Sequence, residues 1–445
     1  MINAIILAAG KGTRMKTDLP KCAFPILEKP MINYIMDALN KTKVEKKIVV
    51  VGHKKEVFYE LLSDVVFAEQ KQQLGTADAV KAALDYLDDD GISLIVPGDT
   101  PLIDYEKINS LIEVELTLNK DIVLLTTYLD DPTGYGRIIR EDGKIVRIAE
   151  EKDAYEDEKE IKEVNTGIMV VKNSFLKHAI YEIKNNNSKK EYYLTDLVMF
   201  AQDISSVILN DNELLYGIND KFALSVVETM ARNQIIKKHI LNGVNIISAS
   251  TVTIYPDVEI EEDVTIYPNT VIRGHSVIKK GAVIGPNTEL FNATILENAK
   301  VKHSVVYDST IGEHSTIGPF AHVRMNTIIG PNNRIGNFVE VKNSILGDTT
   351  KASHLSYLGD SKIGNNVNIG CGSITVNYDG KRKSKTIIGN NVFVGCNSNL
   401  IAPVEIKDNA FIAAGSTITD NVDESDLAIA RSRQINKKGY AKKYK

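Results

Sequence analysis

The sequence predicts two architectures joined end to end: a mostly parallel α/β sheet over the first 218 residues, then a parallel β-helix of six-residue repeats. Three observations predict this. Short, uniformly apolar runs alternate with helically spaced apolar residues in the first part; a hydrophobic period of six governs residues 252–422; and one amphipathic stretch separates the two textures.

In order along the chain, Ala4-Ile5-Ile6-Leu7, Ile48-Val49-Val50-Val51, Ser93-Leu94-Ile95-Val96 and Ile122-Val123-Leu124-Leu125 read as strands covered on both faces. Between them Ala77, Val80, Leu84 and Leu87 keep helical spacing, with Thr76 as N-cap. Ligands of such sheets collect at the carboxyl ends of the strands, so the residues following each run carry the functional interest. Phe222, Val226, Val227, Met230, Ile236 and Ile240 then share one helical face ending at Asn242-Gly243, which predicts a connecting helix over 220–243. The organisation expected is 1–219, the connecting helix, and 244–445.

The period of six follows. Ile254, Ile260, Ile266, Ile272, Ile278, Ile284 and Leu290 recur in phase, as do Ile311, Ile317, Val323, Ile329, Ile335 and Val341, and later Ile363 and Ile369, Ile388, Val394 and Leu400, and Ile406, Ile412 and Ile418. Helices do not repeat at six, whereas a β-helix with one short strand per hexapeptide does; at about 18 residues per coil, nine or ten coils are expected. The period breaks at Leu346–Ile363, around Lys351 to Asp360, and at Thr375–Thr386, around Asn377-Tyr378-Asp379-Gly380. Departures add nothing to stacking and point to a functional face.

Composition bounds the function. With 445 residues, 53 Lys+Arg and 58 Asp+Glu, the formal charge of −5 offers no global basic surface for nucleic acid. The C-terminal stretch from Asp426 to Lys445 is locally basic, with seven Lys/Arg against one acid. Cys22, Cys371 and Cys396 show no close spacing, so neither a zinc site nor a disulfide framework is signalled. No apolar run approaches membrane-spanning length and the N-terminus lacks a basic leader, so a soluble, cytoplasmic protein with no membrane partner is expected.

After the first strand comes Leu7-Ala8-Ala9-Gly10-Lys11-Gly12-Thr13-Arg14-Met15, then Pro20-Lys21. Its glycines let backbone N–H groups approach phosphate oxygens, and Lys11, Arg14 and Lys21 add positive charge. It is neither a Walker A loop nor GxGxxG. Asp99 in Pro97-Gly98-Asp99-Thr100-Pro101-Leu102 ends a strand, where it either caps a turn or holds Mg²⁺ against phosphate. Gln73-Leu74-Gly75-Thr76, Asp131–Arg137, Glu150, Asn165-Thr166-Gly167 and Glu191–Asp196 are polar runs beside strands or turns, each weak alone.

The first loop resembles the signature of the sugar-phosphate nucleotidyltransferases. The whole chain resembles the bacterial bifunctional enzymes that make UDP-N-acetylglucosamine, which pair an N-acetylglucosamine-1-phosphate uridyltransferase half with a glucosamine-1-phosphate N-acetyltransferase half. The resemblance implies a Rossmann-like nucleotidyltransferase domain followed by a left-handed β-helix of hexapeptide repeats, assembled as a homotrimer with acetyltransferase sites between subunits. It implies a UTP and UDP-sugar site at Leu7, Ala8, Ala9, Gly10, Arg14, Lys21, Gln70, Gly75, Thr76, Gly136, Glu150, Asn165 and Asn219. Asp99 and Asn219, the latter from Tyr216-Gly217-Ile218-Asn219, would hold Mg²⁺.

Acetyl transfer from a thioester to an amine needs a base for the amine proton and donors for the oxyanion. Among eight histidines, His354 lies in the first departure from the period. A surface role is the ordinary reading of such a residue, but His354-Leu355-Ser356-Tyr357-Leu358-Gly359-Asp360 resembles the family's HLTYLGD run and implies the general base. By the same resemblance Arg324, Lys342, Tyr357 and Asn368 would bind glucosamine-1-phosphate, and Cys371, Asn377, Tyr378, Cys396, Ala414 and Arg431 would contact acetyl-CoA. The sequence departs from the family at Met325-Asn326, usually Pro-Gly; at Cys371, often Ala; at Cys396, often Ser; at Cys22-Ala23-Phe24-Pro25; and at Pro97. Two other readings compete: a transferase for another sugar phosphate, and an inactive scaffold. Lys11, Arg14, Lys21, Asp99 and His354 are all retained, against the scaffold.

Overall fold

Strands that are apolar on both faces must be covered on both faces, and the four uniform runs lie in the middle of one sheet. The computed structural model describes residues 1–103, 105–209 and 217–444. The sheet runs in the order Ile204–Leu209, Ile122–Tyr128, Glu163–Lys172, Ile92–Pro97, Ile2–Leu7, Lys46–Val51, Val66–Glu69. It is parallel except at Glu163–Lys172, which pairs antiparallel with both neighbours. The hairpin Arg137–Glu141/Lys144–Ala149 precedes that strand, and Arg137 pairs with Val164. The run Asn165-Thr166-Gly167 is where the register of the antiparallel strand shifts, a bulge that re-aims side chains at the sheet edge. Ile5, Ile48, Val50, Ile95, Leu124 and Met169 are buried on one side of the sheet with Ala77, Val80 and Leu84 of the following helical segment.

Two local expectations change. The helix after Gln73 spans Thr76–Lys81, with Gly75 rather than Thr76 in the N-cap position. The Thr76 hydroxyl instead accepts a hydrogen bond from Leu194 N at 2.9 Å, so it ties two segments together. The connecting helix spans Lys221–Leu241, but Phe222 is 80% exposed and Ile240 45%. Its buried residues are Val227, Ala231, Ile236 and His239. The chain falls into two compact units that meet in sequence inside this helix, Met1–Ala231 and Arg232–Lys445.

In the second unit, two- and three-residue strands stack parallel on three faces. Thr253 pairs with Val271, Glu259 with Val277, and Thr265 with Val283. Each coil thus brings one hexapeptide to each face, and the residues in phase point inward: Ile254, Ile272, Leu290, Ile311, Ile329, Ile369, Val394 and Ile412 all lie in one core. One face is a nine-stranded sheet, in keeping with the nine or ten coils that the period implies. Coil length slips to as little as sixteen residues, as Thr294 pairing with Thr310 illustrates.

The two breaks differ physically. Lys351–Gly359 is no insertion: it is one continuous strand stacked on Arg334–Lys342, turning the corner between two faces with its register intact. Thr375–Thr386 is a true insertion, because Ser361 pairs with Thr386 and Asn368 with Phe393, each twenty-five residues on. Met325 and Asn326 both take left-handed backbone, at φ 59° and 58°, a conformation that asparagine tolerates and methionine adopts at some cost.

Candidate active sites

The carboxyl ends of Ile2–Leu7, Lys46–Val51 and Ile92–Pro97 open on one edge of the first unit's sheet. There a cavity of about 410 Å³ is lined by Leu7, Ala9, Gly10, Lys21, Gln70, Gly75, Thr76, Asp99, Glu150 and Asn165 among others. Ten of the residues expected from the sequence therefore converge. Ala8 does not: it is buried, its N–H donating to Val50 O at 2.9 Å. Gly136 stands behind the wall, its carbonyl accepting from Asn165 N at 2.8 Å.

Lys21 organises the charged end. Its ammonium bonds both Asp99 and, at 2.9 Å, Asn219 Oδ1. Arg14 donates to the same Asn219 oxygen at 2.9 Å, and the Asp99 carbonyl accepts from Ile218 N at 3.1 Å. Two hard oxygen donors thus converge on one point, the ligand type Mg²⁺ takes when phosphates and water complete its shell. Among the described residues no group of three or more His, Cys, Asp or Glu could hold a metal, so any ion here would depend on substrate oxygens. Tyr216, in the same run as Asn219, lies outside the described residues.

At the other end, Gln70 Nε2 donates to Gly75 O at 3.1 Å and Asp78 Oδ2 at 2.9 Å. That leaves its carbonyl oxygen for a ligand. Gly75 has φ +129°, and a Cβ there would run into Tyr192 backbone atoms, so the segment Leu74–Thr76 closes against Tyr192 only with glycine. Glu150 accepts from Thr195 Oγ1 at 3.0 Å; it is a held wall residue rather than a freely solvated charge. It also borders a neighbouring cavity with Asp153 and Asp196. Burial first, and then the Glu150 and Asp153 charges, push the Asp196 carboxyl up to about 6. Cys22, Gln73, Glu191 and Thr195 line the main cavity as well; the sequence offered their runs but no signal that singled them out.

In the second unit the register builds one column. Asn337 pairs with His354. Because Lys351 and Ala352 pair with Asn368 and Ile369, and Gly372 N donates to Leu355 O, Cys371 follows His354 in the next coil. Asn397 N donates to Cys371 O, and Gly415 N to Cys396 O, both at 2.8 Å, which stacks Cys396 on Cys371 and Ala414 on Cys396. The Arg431 side chain reaches Gly415. Asn337 Oδ1 lies 2.8 Å from His354 Nδ1. With that oxygen accepting, Nδ1 carries the proton and Nε2 keeps its lone pair, the tautomer a base requires.

Beside the column is a second group. Arg324 is paired with Glu340 at 2.6 Å, and Lys342, the next residue along the same face, reaches Asp360 Oδ2 at 3.2 Å. Asp360 is buried and also accepts from Asn343 and Asn377. Burial works to raise its carboxyl, but these donors outweigh burial and hold it below the usual range. Asn377 Nδ2 reaches Tyr357 OH at 3.4 Å, which puts Asn377 with Lys342 and Tyr357 rather than with the cysteines. Asn368 does not join them: it lies on the preceding face, paired with Lys351. Tyr378 is exposed and bonds Gly380 O within the inserted loop.

Residues 4–140 match the model of the MobA-like NTP transferase domain, 251–330 that of the GMPPB C-terminal domain, and 385–420 that of the bacterial transferase hexapeptide (six repeats). The chain is 52% identical to the bifunctional protein GlmU of Acholeplasma laidlawii, over 99% of this chain and 97% of that one. It is 46% identical to the GlmU of an Exiguobacterium species, over 99% of both. To that of Caldanaerobacter subterraneus subsp. tengcongensis it is 47% identical, over 98% and 97%. The chain belongs to the bifunctional GlmU family.

Membership of the GlmU family makes the chain a bifunctional enzyme, a nucleotidyltransferase and an acetyltransferase, with a left-handed β-helix of hexapeptide repeats as its second fold. It disfavours the scaffold reading. Among the described residues no helix is long and apolar enough to cross a membrane. Asn337 and Glu340 are polar partners outside the motifs of the GlmU resemblance, and Asp360 closes its HLTYLGD-like run without an expected role; they hold His354, Arg324 and Lys342 in place.

Proposed function

We propose that the chain makes UDP-N-acetylglucosamine in two steps, acetylating glucosamine-1-phosphate from acetyl-CoA and then joining the product to UMP from UTP. The observation that carries the reading is that each unit holds its own constellation: Lys21, Asp99 and Asn219 in one, the His354 column with the Lys342–Asp360 group in the other.

In the acetyl step His354 Nε2 takes the proton of the glucosamine amine as it attacks the thioester carbonyl, and Asn337 stabilises the imidazolium through Nδ1. Arg324, Lys342 and Tyr357 receive the sugar phosphate; Asn368, on the preceding face, would reach it only from a neighbouring copy. Cys371, Cys396, Ala414 and Arg431 line the acetyl-CoA position, with Asn377 and Tyr378 at its side, and the basic tail suits the CoA phosphates. In the uridylyl step an oxygen of the sugar-1-phosphate attacks the α-phosphorus of UTP in line and pyrophosphate leaves. Such transfers need positioning and charge neutralisation more than covalent help. Lys21 and Arg14 supply charge; Leu7, Ala9, Gly10, Gln70, Gly75, Thr76, Glu150 and Asn165 hold the nucleotide and sugar, with Ala8 and Gly136 supporting them from behind the wall. Asp99 and Asn219 would hold Mg²⁺, which neutralises phosphate charge when bound. Accordingly, pyrophosphate release from N-acetylglucosamine-1-phosphate and UTP is expected to stop with EDTA and return with Mg²⁺; release that EDTA leaves unchanged would remove the metal from the account.

A homotrimer through the β-helix fits an exposed apolar edge. Phe320, Phe338 and Leu355 are each 58% exposed, follow one another in register beside the His354 column, and the two phenyl rings stack at 5.5 Å. A second copy covering that edge would complete the cleft over His354. Sedimentation of the active enzyme is expected to give a trimer; an acetylating monomer would contradict the shared site. The product suits a cytoplasmic supplier of peptidoglycan and other envelope polysaccharide precursors.

A further inference from the structure

Cys371 and Cys396 are twenty-five residues apart in sequence, yet they are neighbours. The inserted loop lengthens their coil, and the ladder runs on unbroken across it: Ile369 pairs with Val394, and Asn397 N bonds Cys371 O. Both corners have the same shape, the residue after each cysteine being left-handed, Gly372 at φ 74° and Asn397 at φ 54°. The two Cβ atoms therefore leave the backbone in the same direction. Both cysteines are exposed and free. In-register neighbours sit about 4.8 Å apart, within the roughly 4.4–6.8 Å between Cα atoms that a disulfide spans. On the other side of Cys371 stands His354, one coil back in register.

We propose that Cys371 and Cys396 form a redox-modified dithiol, and that the disulfide between them switches acetyl transfer off. The proposal rests on the reading of this column as the acetyl-CoA position. The oxidant is a low-molecular-weight disulfide. One cysteine thiolate attacks it, forming a mixed disulfide and releasing the first small thiolate. The second cysteine thiolate then attacks the protein sulfur of that mixed disulfide and releases the second. Both cysteine S–H bonds are broken and one S–S bond is formed; the two protons and two electrons leave on the two small thiols. A disulfide brings Cβ atoms to about 3.8 Å, so the two corners must draw together by about an ångström beside the base. A displacement of that size costs on the order of a hundredfold in a positioned reaction. Bound acetyl-CoA would occupy the thiols' open side and protect them.

Cys22 is the internal control, because it is buried where Cys371 and Cys396 are exposed.

The test treats the full-length enzyme with oxidised glutathione, blocks remaining thiols by alkylation, and maps peptides by mass spectrometry. The expected result is a Cys371–Cys396 linked peptide pair, with Cys22 alkylated only after denaturation. Acetyl transfer should fall about a hundredfold and return with dithiothreitol, while uridylyl transfer is unchanged. Saturating acetyl-CoA should slow the linkage. The double variant Cys371→Ala/Cys396→Ala, whatever its own turnover, should not respond to the oxidant. Recovery of both cysteines as separate alkylated or glutathionylated peptides would overturn the pairing. A complete linkage that leaves acetyl transfer unchanged would overturn the switch. Were the fully reduced enzyme to show no acetyl transfer at all, the assignment of the site would fail instead, and the linkage assay would still report on the dithiol.

Discussion

Replacing His354 by alanine is expected to remove acetyl transfer and to leave uridylyl transfer at its original rate. The imidazole sits at a corner of the β-helix with Nδ1 against Asn337 Oδ1 at 2.8 Å, so the substitution deletes the lone pair on Nε2 and creates no buried void, because His354 is exposed. A positioned general base contributes about 10²–10⁴ in rate, and the loss should fall in kcat with little change in the KM for acetyl-CoA. His354→Gln is the useful companion: it can keep a hydrogen bond to Asn337 yet cannot accept the amine proton, so it should be nearly as slow as alanine. Separate measurement of free CoA thiol and pyrophosphate decides the matter. A folded His354→Ala enzyme that still releases CoA within about tenfold of the original rate would contradict the base assignment.

The converse substitution, Asp99→Ala, is expected to silence pyrophosphate release and spare acetylation. Asp99 lies two residues beyond the strand Ile92–Pro97, and its carboxylate pairs Lys21, which also bonds Asn219 at 2.9 Å. Removing it takes away the only carboxylate bonded to that lysine among the described residues and, on this account, one of two protein ligands of Mg²⁺. Each 1.36 kcal/mol of lost transition-state stabilisation is tenfold in rate, so a loss of a few kcal/mol of charge neutralisation gives about a thousandfold. Asp99→Asn separates charge from geometry: it keeps an oxygen for Lys21 but not the negative charge, and should be similarly slow. Unchanged pyrophosphate release in either variant would take Asp99 out of the chemistry.

The β-helix was legible because its physics is one-dimensional. Every sixth residue must point inward to stack, so Ile254 to Leu290 write the fold directly into the sequence. Register along the solenoid was not legible. Coils of sixteen to eighteen residues slip without any marker, so that Asn337 meets His354 could not be counted out beforehand. The same applies to Cys371 and Cys396, which the insertion separates in sequence and the ladder rejoins. In the first unit the strands were plain, but Lys21, Asp99 and Asn219 are 78 and 198 residues apart. Only the family motifs pointed to their meeting, since local chemistry says nothing about which carboxyl ends share an edge. The connecting helix misled for another reason: it carries apolar residues on more than one side, so Phe222 and Ile240 fit the spacing and remain exposed.

The most direct test of the two-step account supplies purified protein with glucosamine-1-phosphate, acetyl-CoA, UTP and Mg²⁺ and follows CoA thiol and pyrophosphate separately. The account predicts that both are released and that pyrophosphate appears only when acetyl-CoA is present. Pyrophosphate formed from N-acetylglucosamine-1-phosphate while glucosamine-1-phosphate yields no CoA thiol would contradict it, leaving the β-helix to assembly or to another amine.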